Sequence, residues 1–217
     1  MSIRILIADD HKIVRDGLRN LLSQETDMEV VGEAEDGRSA LELASSLAPH
    51  VAIFDIGMPD LNGIDATKKL LADAPHIKVI ALSMHSDRRF VEGMFQAGAV
   101  GYLLKDCAFE ELARAVRAVA AGQVYVSPAI SGVLITDYLS KSTADSDNSG
   151  DVLTSREREV LQLLAEGHST KAAAANLCVS AKTIETHRQR IMRKLDLHSI
   201  AELTKYAVRA GITSVDR

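Results

Sequence analysis

The sequence has no tryptophan, only 4% aromatic residues and only two cysteines among 217 residues. Cys107 and Cys178 lie far apart without metal-ligand spacing, so reduced thiols are expected rather than a disulfide framework or a zinc site. No apolar run approaches the roughly 20 residues that cross a bilayer, and the N-terminus lacks a signal-peptide pattern. These absences predict a cytoplasmic protein without membrane contact. Its 47% hydrophobic residues suffice for one or two packed cores.

The net charge of -5 is unevenly distributed along the chain. Residues 151–217 carry 11 Lys and Arg against 8 Asp and Glu, a balance of +3, which leaves -8 for residues 1–150. The two parts are therefore expected to bind different partners. The basic part is compatible with nucleic-acid binding, provided that its basic residues share one face.

Apolar runs alternate with amphipathic helical patterns along residues 1–121. The predicted strands span residues 3–8, 29–34, 51–54, 78–82 and 100–104, and the helices that follow them span 11–22, 37–47, 61–74, 87–97 and 109–121. Connections this short, with right-handed crossovers, predict an α/β fold with a five-stranded doubly wound parallel sheet covered by helices on both faces.

Polar side chains follow four of these strands. Asp9 and Asp10 follow the first strand, Asp55 the third, Ser83 the fourth and Lys105 the fifth. Each alone could cap a helix or end a strand in water, but parallel strands bring their carboxyl ends to one edge. Three neighbouring carboxylates repel one another unless a divalent cation neutralises them, and oxygen ligands of this kind suit Mg²⁺. With an amine and a hydroxyl beside phosphoryl oxygens and one carboxylate as nucleophile, the set predicts an aspartyl phosphate.

Residues 122–150 predict a connection between two domains. Ser127 and Pro128 are typical of a helix start, so a connecting helix is expected here. Residues 141–150 contain no large apolar residue and predict a flexible linker, where the domain boundary falls.

Residues 151–217 predict four short helices. The first begins after Thr154 or Ser155, and the others span residues 169–177, 181–195 and 199–210. Ser180 is the expected cap of the third helix, which carries basic residues on its outward face. A short helix, a tight turn and a longer basic helix are typical of a helix-turn-helix. In the fourth helix, an exposed stripe of Leu203, Tyr206 and Ala207 is a candidate dimer seam, although part of it must pack on its own domain.

Two sets of motifs resemble known families. The pair Asp9-Asp10, the DIGMP motif at Asp55, Ser83, Tyr102 and Lys105 resemble the receiver domain of two-component response regulators. The segments LTSREREVLQLLAEG and VSAKTIETHRQRIMRKLDLHSIAEL resemble the LuxR-type DNA-binding domain. Together the two parts resemble the NarL/FixJ subfamily.

The resemblance implies a flavodoxin-like receiver over residues 1–121, a connecting helix and linker over 122–150, and a small all-α helix-turn-helix domain over 151–217. In the receiver it implies the following roles: Asp55 as phosphoacceptor, Lys105 and Ser83 as catalytic residues, Asp10, Asp55 and the Gly57 carbonyl as Mg²⁺ ligands, Asp9 acting through a water, and Ser83 with Tyr102 as a switch pair. The packing alternative for Tyr102 is a half-buried aromatic with its hydroxyl at the surface.

In the DNA-binding domain, the resemblance places the recognition helix at residues 181–194. It implies two groups of DNA contacts: Glu185, Thr186 and Gln189 at base edges, and Lys182, Thr183, Arg188 and Arg190 nearer to phosphates. The alternative for the basic residues is a solvated helix face. The implied partners are a histidine kinase, double-stranded promoter DNA and a second copy of the chain, with RNA polymerase as a candidate. Phosphorylation would dimerise the protein or release its DNA-binding domain.

Two departures from the family pattern and two other functions stay open. Asp106 replaces the proline that follows the lysine in many receivers, which leaves a strained cis peptide or a trans peptide. Cys178 occupies a turn position often taken by glycine.

A Mg²⁺-dependent phosphohydrolase is disfavoured because Gly57 offers no second catalytic acid, so the receiver is expected to catalyse only its own phosphorylation and dephosphorylation. A constitutive DNA binder is disfavoured by the intact set of receiver residues.

Overall fold

The computed structural model describes residues 2–84, 86–132 and 152–213. The chain divides into an N-terminal unit, Met1–Asp145, and a C-terminal unit, Ser146–Arg217. Each unit has its own hydrophobic core. No helix in the described ranges combines the length and apolar character needed to cross a bilayer.

A parallel sheet flanked by helices forms the N-terminal unit. Its strands are β1 Ile3–Ala8, β2 Met28–Ala34, β3 Val51–Asp55, β4 Lys78–Ser83, β5 Gly101–Leu104 and β6 Tyr125–Val126. Its helices are α1 Lys12–Leu22, α2 Gly37–Leu47, α3 Gly63–Asp73, α4 Arg88–Gln96 and α5 Ala108–Ala120, with a 3₁₀ turn at Lys105–Cys107. The strand order is β2-β1-β3-β4-β5-β6, and all neighbours pair in parallel. The predicted doubly wound parallel sheet is therefore confirmed.

The prediction of five strands is wrong, because β6 adds a sixth at the edge. Tyr125 N–H donates to the Val100 carbonyl at 3.0 Å, and Ser127 N–H donates to the Tyr102 carbonyl at 2.9 Å. A strand of two residues is too short to show a period-two pattern, so its sequence gives no strand signal. Residues 128–132 then form a helical turn. The rest of the predicted connecting helix and the predicted linker lie outside the described residues.

Alternate residues of the central strands enter two cores, one on each face of the sheet. Ala52 and Phe54 of β3 pack on one face, and Val51 and Ile53 pack on the other. All four are 0% exposed. This packing explains why β3 reads as a continuous apolar run rather than as an alternating one.

Four capped helices form the C-terminal unit: α6 Ser155–Ala165, α7 Thr170–Asn176, α8 Ala181–Leu195 and α9 Ile200–Arg209. Thr154 caps α6 in a capping box with Glu157, and the Ser180 side chain accepts the Thr183 N–H at 3.1 Å to cap α8. Ser169 and Ser199 cap α7 and α9 in the same way, so one peptide N–H at the start of each of the four helices is satisfied by a side chain. Cys178, in the turn before α8, has a φ of 52°, which is the conformation that favours glycine at this position.

The prediction of an exposed stripe on α9 is wrong in part. Leu203 and Ala207 are 0% exposed and belong to the core of the C-terminal unit, while Tyr206 packs against that core and is partly exposed. The i, i+4 spacing of Leu203 and Ala207 marks an apolar helix face, but the sequence alone cannot say whether a second chain or the domain itself covers it. Here the domain covers it.

Candidate functional site

The carboxyl edge of the sheet brings the acid residues and the lysine together. Lys105 Nζ lies 2.7 Å from Asp9 Oδ2 and 3.0 Å from Asp55 Oδ2. Asp9 is 0% and Asp55 5% exposed. One ammonium therefore bridges carboxylates at the carboxyl ends of two adjacent strands, β1 and β3. The described residues contain no cis peptide, so the Lys105–Asp106 bond is trans and the amine reaches both acids from a 3₁₀ turn.

Close packing of α3 fixes the backbone around Asp55. Gly63 N–H donates to the Ile56 carbonyl at 3.0 Å. A Cβ at Gly63 would lie 2.2 Å from the Asp55 carbonyl oxygen, which is closer than any side chain allows. Only glycine lets the first turn of α3 approach the end of β3 so closely. Asn62, 2% exposed, caps this helix by accepting the Asp65 N–H at 2.9 Å.

The first acid pair is held by the start of α1. His11 N–H donates to Asp9 Oδ1 at 2.8 Å, and His11 Nδ1 lies 2.8 Å from Asp10 Oδ1 and 3.4 Å from Asp9 Oδ1. One ligand atom from each of Asp9, Asp10, His11 and Asp55 lies within 4.8 Å of all the others. The three acids are predictable from the strand pattern, whereas His11 is not among the predicted site residues. Its position directly after an acid pair was the only available signal.

Electrostatics at this edge are set by burial and by the neighbouring charges. Burial raises the pKa of Asp55 to about 6; the charge of Asp9 adds to this rise, whereas Lys105 opposes it. Desolvation would lower the pKa of Lys105, but the charges of Asp55 and Asp9 outweigh it and the pKa is raised. Lys105 therefore keeps its proton, and Asp55 is ionised above about pH 6.

Ser83 and Tyr102 form a buried polar pair beside the acids. Ser83 is 1% and Tyr102 0% exposed, and their side chains are hydrogen-bonded. Burial raises the pKa of Tyr102 to about 12 against the effect of that hydrogen bond, so the phenol stays protonated. The centroid of the Phe95 ring lies 6.4 Å from the centroid of the Tyr102 ring. The alternative of a hydroxyl at the surface is wrong, because Phe95 and the Ser83 bond hold the side chain inside.

Gly57 lies in the loop after β3, exposed to solvent. A Cβ at Gly57 would lie 3.7 Å from Asp55 Oδ2, so its backbone runs beside the Asp55 carboxylate. This placement is compatible with the carbonyl role that the sequence analysis gave to Gly57.

All seven predicted DNA contacts lie on α8. Ile184 and Ile191 are 0% exposed and anchor the helix in the core, whereas Lys182, Gln189 and Arg190 are exposed. The remaining four residues, Thr183, Glu185, Thr186 and Arg188, are partly exposed.

Four of these residues also bond within the helix or its cap, including Thr186, whose hydroxyl donates to the Lys182 carbonyl at 2.9 Å. Arg188 Nη2 donates to Glu185 Oε1 at 2.6 Å, and the Thr183 hydroxyl lies 2.8 Å from that of Ser180. A base-edge or phosphate contact by Glu185 or Arg188 therefore competes with their ion pair.

An ion pair between helices positions α8 on α6. Lys194 Nζ donates to Glu157 Oε2 at 2.6 Å, and the Glu157 side chain is only 5% exposed. Desolvation of Glu157 is outweighed by its hydrogen bonds with Lys194 and Thr154, which lower the pKa of Glu157. The C-terminal turn of α8 is thereby tied to the capping box of α6.

Comparison with known proteins identifies both units. Residues 5–117 match the family model of the response regulator receiver domain, and residues 151–207 match that of the bacterial regulatory proteins of the luxR family. The response regulator GacA of Pseudomonas protegens is 39% identical over 97% of both chains. The oxygen regulatory protein NreC of Staphylococcus carnosus is 37% identical over 95% of this chain and 97% of its own. The structure of the RcsB–DNA complex superposes with a TM-score of 0.61, 29% identity and coverage of 97% of this chain and 99% of RcsB.

A receiver followed by a LuxR-type helix-turn-helix defines a DNA-binding response regulator of the two-component class. The chain belongs to the NarL/FixJ subfamily of these transcription regulators. The resemblance stated from the sequence motifs is therefore confirmed.

Proposed function

We propose that phosphorylation of Asp55 by a partner histidine kinase controls the DNA binding of this regulator. The observation that carries the proposal is the contact of Lys105 Nζ with both Asp9 and Asp55 at the carboxyl edge of the sheet. The ammonium lies where it can bind an oxygen of a phosphoryl group on Asp55. Before phosphorylation, it orients the Asp55 carboxylate.

The transfer uses the ionised carboxylate of Asp55 as nucleophile. A P–O bond forms to its oxygen while the P–N bond of the kinase phosphohistidine breaks, and the imidazole nitrogen leaves with the electron pair and takes up a proton. Lys105 and the Ser83 hydroxyl neutralise and bind the equatorial oxygens. Hydrolysis later returns the carboxylate and inorganic phosphate, so the receiver acts only on its own phosphoryl group.

The donor set suits Mg²⁺. Oxygen atoms of Asp9, Asp10 and Asp55 lie close enough to share one cation, and the Gly57 backbone lies beside them. Asp10, Asp55 and the Gly57 carbonyl would hold Mg²⁺, with Asp9 acting through a water. When bound, the ion would neutralise negative charge on the transferring group.

The switch would operate through Ser83 and Tyr102. A phosphoryl group on Asp55 accepts a hydrogen bond from the Ser83 hydroxyl, which now bonds to Tyr102. The inward position of Tyr102 would be stabilised in the phosphorylated chain, and the face of α4, β5 and α5 would change with it. Such a shift requires only that phosphorylation favour one of two arrangements.

DNA binding would use α8 in the major groove. Glu185, Thr186 and Gln189 would face base edges, while Lys182, Thr183, Arg188 and Arg190 would lie near phosphates. A further solved structure, described as two RcsB dimers bound to two parallel DNAs, supports binding of this chain as a homodimer to promoter DNA. RNA polymerase is a candidate further partner.

The test compares DNA affinity before and after phosphorylation. The full chain is treated with Mg²⁺ and acetyl phosphate, and one added phosphoryl group is verified by intact mass. Fluorescence anisotropy with a duplex selected from a random library is expected to show at least tenfold tighter binding.

Two variants serve as controls for this test. Asp55→Asn should gain neither mass nor affinity, whereas Asp73→Asn, at the exposed end of α3, should behave as the parent. Equal affinity of the phosphorylated and unphosphorylated parent would contradict the switch and favour constitutive DNA binding.

A further inference from the structure

The imidazole of His11 faces the acid cluster although its position in the fold does not require this. His11 is the N-cap residue of α1, yet its side chain makes no capping hydrogen bond. Ser, Thr, Asp or Asn usually occupies such a position and accepts a peptide N–H. The His11 ring is 64% exposed, so apolar packing does not fix it. Its contacts are with the carboxylates of Asp9 and Asp10.

The distances around His11 match those between ligands of a single ion. Neighbouring ligands of an octahedral cation with bonds of about 2.1 Å lie about 3 Å apart. His11 Nδ1 lies 2.8 Å from Asp10 Oδ1 and 3.4 Å from Asp9 Oδ1, on either side of that value. The atoms of Asp9, Asp10, His11 and Asp55 all lie within 4.8 Å of one another. An ion held by Asp10 and Asp55, with Asp9 acting through a water, therefore comes within reach of one ring nitrogen.

We propose that His11 contributes an imidazole nitrogen to the cation site of Asp9, Asp10 and Asp55, so that the site favours first-row transition ions over Mg²⁺. The proposal rests on the cation site of the proposed function. Mg²⁺ prefers oxygen ligands and gains little from a nitrogen, whereas Co²⁺ and Zn²⁺ bind imidazole strongly. His11 thus sets which divalent cation the receiver takes from a mixture.

The competing role for His11 is a hydrogen bond to Asp10 that orients this carboxylate from outside the coordination sphere. Such outer partners affect every cation that the carboxylate binds, usually by 10- to 100-fold. The two roles therefore differ in one measurable respect. Removal of a direct ligand changes the selectivity between cations, whereas removal of an outer partner lowers the affinity for every cation alike.

Titration calorimetry with Mg²⁺ and with Co²⁺ separates the two roles. The full-length parent is compared with His11→Gln, and His76→Gln, an exposed histidine before β4, is the matched control. His11→Gln is expected to lower Co²⁺ affinity at least tenfold and to change Mg²⁺ affinity less than threefold. Pulsed electron paramagnetic resonance of one equivalent of Mn²⁺, with ¹⁵N-labelled histidine, should show a nitrogen coupling in the parent and in His76→Gln that His11→Gln lacks.

Equal loss of Mg²⁺ and Co²⁺ affinity, or a nitrogen coupling that survives in His11→Gln, would overturn the role of His11 as a ligand. Phosphorylation of Asp55 with Mg²⁺ would still proceed in that case, so the proposed function would stand. Absence of any Mg²⁺ binding by the parent would overturn the cation site itself and this inference with it.

Discussion

The carboxylate of Asp55 is nearly buried, and its ionisation opposes folding. Its pKa of about 6 in the folded chain lies above the ordinary value of 3.8, so the folded state binds the proton more tightly than the unfolded state. The favourable contribution is complete below about pH 4 and is lost as pH rises through about 6. Asp55→Asn, which stays neutral, is therefore expected to be more stable than the parent by roughly 2–3 kcal/mol at pH 8.

The pH dependence of that difference provides the check. Urea unfolding of both full-length proteins, without divalent cations, should show the gap closing between pH 6 and pH 4 because the Asp55 carboxyl of the folded parent is then protonated. A gap that is the same at every pH would mean that the substitution acts through packing rather than through charge.

The sequence predicted the acids and the lysine of the site because their positions depend only on where parallel strands end. Asp9, Asp55 and Lys105 meet as that rule requires. The depth of Tyr102 and the direction of the His11 ring depend on side-chain packing and rotamers, for which the sequence carries no periodic signal. The switch and ligand roles of individual residues remain predictions for the same reason.

Among the elements, the first turn of α3 depends most closely on a single residue. Gly63→Ala would place a methyl group against the Asp55 carbonyl oxygen and push the end of β3 away from Lys105. We expect a loss of about 1–3 kcal/mol in stability and a fall of roughly 10- to 100-fold in the rate of phosphorylation by acetyl phosphate.

Gly132→Ala is the matched control for this substitution, because no atom of the residues that the structure describes lies within 4 Å of a Cβ there. Phosphorylation rates of the folded fractions of both variants are measured by intact mass. A Gly63→Ala protein that is less stable but phosphorylated at the parental rate would show that α3 supports the fold without positioning Asp55.

The exposed residues of α8 are expected to divide into two kinds of DNA contact. Arg190→Gln should weaken binding to every duplex alike and reduce the slope of log K against log salt by about 0.9, because one phosphate contact is lost. Gln189→Ala should keep the slope and lose roughly 1–3 kcal/mol of discrimination between the selected duplex and a scrambled one. Anisotropy titrations at several salt concentrations measure both effects, and a changed slope for Gln189→Ala would place this residue at a phosphate instead.

At the scale of elements, long patterns were predictable and short ones were not. The strands and helices of four or more residues follow from apolar periodicity and capping residues such as Ser180. The two-residue strand β6 gives no such pattern. The prediction of an exposed stripe on α9 was wrong in part, because a helix face that packs on its own domain looks the same in sequence as one that packs on a partner.

For the whole molecule, the uneven charge separates two explanations of activation. A phosphoryl group adds a charge of roughly -1.5 to -2 to a segment that already carries -8, so electrostatics alone would weaken attraction to DNA. Tighter binding after phosphorylation must then come either from the joint binding of two copies or from release of the DNA-binding domain. If two copies bind jointly, we expect the salt slope of the phosphorylated chain to approach twice that of the unphosphorylated chain, with binding of second order in protein concentration. An unchanged slope with first-order binding would indicate that one copy is released to bind alone.

The sixth strand also decides where this chain can be cut and rejoined. The helical pattern of the receiver ends near residue 121, but the backbone of residues 125–127 still belongs to the sheet through bonds to the Val100 and Tyr102 carbonyls. A chimera joined at residue 121 would leave those carbonyls unpaired along an open edge, where the strand of another molecule can add. Exchange of DNA-binding domains between such regulators therefore needs a junction beyond Ser127, although nothing in the helical periodicity of the chain marks that position.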